Sequence, residues 1–122
     1  DELDPAVSAE LGIYLRSREH GVYLNVRAEE AGPTRLTVEG LLDVLREQNW
    51  ASAPFDEWVV TAPPLVIVGG TFETVGMGGE VVLEVFVSDG RSIANLAGPG
   101  ERAVIAAATP SVQRMAQTIR FE

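Results

Sequence analysis

"PPLVIVGGTFETVGMGGEVVLEV", residues 63–85, is the stretch on which the fold turns. An apolar run from Leu65 to Val68 stops at Gly69-Gly70. Further glycines follow at positions 76, 78 and 79, and after Glu80 a second, largely apolar run starts at Val81. Such glycines either cradle an anion or connect two strands. A phosphate cradle needs Lys-Ser/Thr after its last glycine and a helix whose first turn points at the anion. Here Gly79 is followed by Glu80 and strand-like residues, and Glu73 puts a carboxylate where a phosphate would sit. The dinucleotide spacing fails as well, because Gly76-Met77-Gly78-Gly79 opens no helix. We therefore read the glycines as bending the backbone between paired strands.

Downstream, Val81, Leu83, Val85 and Val87 alternate with Val82, Glu84 and Phe86, which predicts a long strand from Glu80 to Val87. Leu65 to Val68 is apolar without alternation and reads as a strand buried on both faces. Asp89-Gly90 is a turn favoured between antiparallel strands, and Ile93 to Leu96 reads as a short strand after it. "AGPGER", residues 97–102, reads as a loop and "AVIAAA", residues 103–108, as a strand. Thr109-Pro110, cap and first-turn proline, then opens a helix with Val112, Met115, Ala116 and Ile119 on one face.

Upstream, "WVVTAPP" gives another short strand, ended by prolines that cannot donate ladder hydrogen bonds and so mark a break or an exposed edge. "ASAPFDE", residues 51–57, reads as a loop. Thr37 caps a helix running to about Asn49, with Val38, Leu41, Leu42 and Leu45 on its buried face. "LGIYLRSREHGVYLNVR" alternates on both sides of a polar turn and predicts a hairpin, with Gly21 supplying the turn. Residues 1–10 read as an N-terminal arm or short helical turn, and residues 11–122 as a single domain. The fold class is α+β: an antiparallel or mixed sheet with two helices packed on it.

Composition narrows what such a domain does. The chain has 122 residues and is 46% hydrophobic, enough for one core without a covalent staple. Its 18 acidic and 9 basic side chains leave a formal charge of −9, which repels polyanions and argues against nucleic acid. The absence of cysteine excludes disulfides and thiolate chemistry. No apolar run has the roughly 20 residues of a membrane span, and the first residues do not resemble a secretory signal. We expect a cytoplasmic chain.

Candidate chemistry is sparse. His20 is the only histidine and falls at a hairpin tip, so a two-histidine metal site within one chain is excluded. The carboxylate pairs Glu29-Glu30 and Asp56-Glu57 fall in predicted loops, where water keeps them ordinary. No catalytic residue, metal ligand or cofactor is expected. Trp50, Phe55 and Trp58 cluster around the loop after the first helix and are the candidates for contact with another protein; an uncovered strand edge is the other. The alternative is a small-molecule site or enzyme pocket on the glycine loop, using Gly69, Gly70, Glu73, Gly76, Gly78 and Gly79. Self-association into a homo-oligomer is a third reading.

Three stretches resemble the N-terminal region of the bacterial flagellar assembly protein A family: "REHGVYLNVRAEEAGPTRLTVEGLLDVLREQNW", "VIVGGTFETVGMGGEVVLEVF" and "IANLAGPGERAVIAAATP". The resemblance spans roughly residues 11–110 and departs at Phe72-Glu73, where that family has a proline. It implies a non-catalytic bacterial module associated with assembly or envelope functions, with no active-site residues to carry over.

Overall fold

A computed structural model describes residues 3–8, 12–17, 22–30, 37–47, 55–73 and 80–121, with side chains described for residues 37–47, 55–73 and 80–121. The element order is β1 Leu3–Ser8, β2 Gly12–Ser17, β3 Val22–Glu30, α1 Val38–Glu47, β4 Phe55–Ala62, β5 Leu65–Glu73, β6 Glu80–Ser88, β7 Ser92–Glu101 and α2 Arg102–Ala116. The strands form one sheet in the order β1-β2-β3-β7-β6-β5-β4, antiparallel at every pairing. This is the expected α+β fold with two helices packed on the sheet. The chain runs as a meander through β1 to β3, crosses by way of α1 to the opposite edge, and returns strand by strand until β7 pairs with β3.

Strand alternation sorts the core into two layers. On one face Leu65, Ile67, Val81, Leu83, Val85, Val87, Ala94 and Leu96 pack against Ile105, Ala108, Val112 and Ala116 of α2. On the other, Val68, Phe72, Phe86 and Ile93 pack against Leu41 and Leu45 of α1. Period-two residues of β6 thus feed both layers, which is why the strand is apolar on each side. The Gly40 N–H donates to Thr37 Oγ1 at 3.1 Å, so α1 begins at the expected cap. Arg46 then donates from Nε and Nη2 to both carboxylate oxygens of Glu57, at 3.0 and 3.1 Å, and ties the end of α1 to β4.

The hairpin of β2 with β3 and the Asp89-Gly90 turn form as expected. Gly90 has φ 94, and Asp89 Oδ1 accepts from the Arg91 and Ser92 N–H groups, both at 2.8 Å. These bonds hold the Asp89 carboxyl below its ordinary pKa, the Ser92 bond contributing most.

Several expectations are corrected. Leu3–Ser8, read as part of an arm or helical turn, is a strand paired with β2 from Leu3↔Ser17 to Ser8↔Gly12. The arm reading rests on the acidic residues and on Asp4-Pro5; Pro5 is tolerated because β1 has no strand neighbour on its outer side among the described residues. Glu29 and Glu30, read as loop, continue β3 opposite Ile93 and Ser92. Residues 97–101, also read as loop, extend β7, with Pro99 opposite Val82. The β3 ladder ends at Ala97, so beyond it β7 is paired on the β6 side alone among the described residues, and a missing N–H on the other side interrupts no ladder described there.

"AVIAAA" is helix, not strand. It belongs to α2, which runs through Thr109-Pro110 instead of starting there. Ile105, Ala108, Ser111, Val112 and Ala116 are its buried residues, a helical stripe made faint by alanine. Alanine is the strongest helix former. Pro110 is exposed and offers no N–H to the Ala106 carbonyl one turn back, while the neighbouring Thr109 hydroxyl donates to the Ile105 carbonyl at 2.8 Å. Among the described residues, no helix is long and apolar enough to cross a membrane.

Candidate functional site

β4 is the outermost strand of the sheet, with β5 on one side and no strand neighbour on the other among the described residues. Its pairing with β5 is regular from Trp58↔Gly69 to Ala62↔Leu65 and irregular between Phe55 and Trp58. Asp56, inside that bulge, has φ 52, a left-handed conformation that aspartate tolerates better than most side chains. At the other end Pro63-Pro64, a cis pair, makes the turn into β5. The bulge and the proline pair therefore bracket a regular extended edge from Trp58 to Ala62.

The aromatic candidates Phe55 and Trp58 are on this strand, not in a loop. Both turn toward α2 and pack as half-buried residues against its core layer. The loop expected over residues 51–57 thus gives way to strand from Phe55. The register explains why: Trp58 pairs with Gly69, and a side chain at position 69 would collide with the indole ring. Gly69 and Gly70 are accordingly inside β5, not in a connection between strands. Gly69 is required by the ring that covers it. Trp50, His20, Gly21, Gly76, Gly78 and Gly79 lie outside the described residues.

Between the bulged end of β4 and the first half of α2 is a groove of about 230 Å³, lined by Phe55, Asp56, Trp58, Thr71, Arg102, Ile105, Ala106 and Thr109. Ile105, 1% exposed, and Thr71, 6% exposed, are its most deeply buried lining residues. The Arg102 guanidinium lies 4.3 Å from the Phe55 ring centroid and donates to Glu73 Oε1 at 2.7 Å. It thereby bridges α2, β4 and β5 at the mouth of the groove. Both partners of that ion pair are more than half exposed, so it positions the side chains more than it stabilises the fold.

The structure thus brings together Phe55, Trp58, a strand edge and the neighbourhood of Glu73, which the sequence analysis held in separate hypotheses. Sequence reasoning missed the α2 wall. Arg102, Ile105, Ala106 and Thr109 are spaced i, i+3, i+4 and i+7, the signature of one helical face, and reading residues 103–108 as strand hid it. Among the described residues, no three His, Cys, Asp or Glu side chains group to hold a metal ion. Comparisons with protein-family models, curated proteins and solved structures return no match.

Proposed function

We propose that this chain is a non-catalytic protein-interaction or assembly module that contacts another polypeptide along the outer edge of β4. One observation carries the reading: Phe55 and Trp58 sit on the same strand whose outer backbone groups lack a strand neighbour among the described residues. Edge strands offer main-chain hydrogen bonds, and adjacent aromatic residues add contact area at low entropic cost. Val59, 43% exposed, follows Trp58 on the same strand and leaves a large apolar side chain in contact with solvent on the opposite face of the sheet. A bacterial assembly role is what the sequence resemblance adds to this reading. Association with a second copy is one form of it.

The alternative, a ligand site on the glycine loop, has less to support it in the described part. Gly69 is covered by Trp58, and Glu73 engages Arg102.

Replacing Val59 by a photo-crosslinking amino acid, with the same replacement at exposed Gln117 as control, tests the proposal in cells. The expected result is polypeptide adducts at position 59 and none at 117. Adducts with the chain itself would identify self-association. Equal adduct formation at the two positions, or none at 59, would overturn the proposal.

A further inference from the structure

The groove beside β4 has properties that say what kind of side chain it takes. An apolar cavity of about 150 Å³ holds one benzene, and sites for free drug-sized ligands begin near 300 Å³. At about 230 Å³ the groove falls between these and suits one large side chain better than a free cofactor. Its position agrees. A strand added to the edge of β4 would direct alternate side chains to the α2 face, where Phe55 and Trp58 already form the groove wall.

The lining specifies the occupant further. Phe55, Trp58, Ile105 and Ala106 offer aromatic and aliphatic contact. Thr71, 6% exposed, adds a hydroxyl to that lining. A largely apolar lining that also presents the Thr71 hydroxyl suits an occupant with an apolar body and a polar tip, as tyrosine has. Charge decides the flanks. The chain carries −9, Glu57 is held by Arg46, Glu73 by Arg102, and exposed Asp56 stands at the rim of the groove beside the edge. Basic residues on either side of the inserted side chain complement that field.

We propose that the groove between β4 and α2 holds one tyrosine-like side chain of a basic, extended peptide that adds to the free edge of β4. The inference rests on the reading of β4 as the contact edge. Arg102, stacked on Phe55, borders the opening.

The test uses synthetic peptides of the pattern Lys-Val-Tyr-Val-Lys, with Phe or Ala in place of Tyr, and a Glu-flanked version. Affinity is read by calorimetry, and protection of the β4 amides by hydrogen exchange. The Tyr peptide is expected to bind roughly tenfold tighter than the Ala peptide and to exceed the Phe and Glu-flanked versions. Ala106→Trp, at an exposed groove position, should erase the advantage of Tyr over Ala. Thr71→Val should erase that of Tyr over Phe. Equal binding of Tyr and Ala peptides with the β4 amides protected would overturn the groove assignment and leave the edge reading standing. No protection of β4 by any peptide would overturn both. The peptide comparison on the unaltered protein decides the matter even if a variant fails to fold.

Discussion

The indole of Trp58 occupies the space above Gly69 on the neighbouring strand, so that position 69 admits no side chain while the ring is there. A methyl group at position 69 would meet the ring, and the ring has core on one side and the groove on the other. Gly69→Ala is therefore expected to cost about 1–3 kcal/mol, the usual penalty for overpacking. Urea unfolding of the single variants and of Gly69→Ala with Trp58→Ala checks it. The double variant should lose less than the two singles added together, because removing the ring removes the collision.

Arg102 joins three elements but does so in solvent. Arg102→Ala should lower stability by about 1 kcal/mol or less, combining a partly exposed contact with Phe55 and a screened ion pair with Glu73. Thermal unfolding at low and high salt should show the difference between variant and parent narrowing as salt rises. A loss of several kcal/mol would mean that the bridge is structural.

Pro110 distinguishes two descriptions of the last helix. Were the helix to start there, proline would suit its first turn and replacement would gain nothing. Since α2 begins at Arg102, Pro110→Ala restores an interior N–H and removes the ring from the helix, and should stabilise by up to about 3 kcal/mol. Chemical denaturation measures it directly, and a neutral or destabilising result would refute the continuous helix.

Asp89 sets an acid limit on the β6–β7 turn. Its carboxylate accepts from the Ser92 and Arg91 N–H groups, which lowers its folded pKa below the ordinary value of about 3.9. The stabilisation is complete above that unfolded value and is lost as pH falls through the lower folded one. Asp89→Ala should be less stable than the parent near pH 7, by about 1 kcal/mol, with the gap closing in strong acid. Urea midpoints across the acid range check both the sign and the window.

Val59→Lys tests the edge without disturbing the core. The side chain is exposed, so folding should be retained to within about 0.5 kcal/mol, while a charge on an edge strand opposes the addition of another strand. Circular dichroism and the crosslinking yield from an added photo-reactive group at Thr61 provide the two readings. Retained folding with lost adducts is expected, and undiminished adducts would place the contact elsewhere.

What the sequence alone determined are the elements whose signals are local. Val81 to Val87 alternate and make β6; Leu41 and Leu45 recur at helical spacing behind the Thr37 cap and make α1; Asp89-Gly90 makes a turn. Each depends on residues within one or two turns of backbone, where periodicity and capping act. Alanine blurred the one helix that was misread, since residues 103–108 have too little contrast in size to reveal a face. Tertiary structure alone decided which strands lie at the edges, that Trp58 covers Gly69, and that Arg102 reaches Phe55 and Glu73 across 47 and 29 positions. Those pairings arise from the crossover that carries the chain from β3 to the far edge. A backbone spacing of a few residues holds no record of that crossover, so the groove it creates is written only in the folded chain.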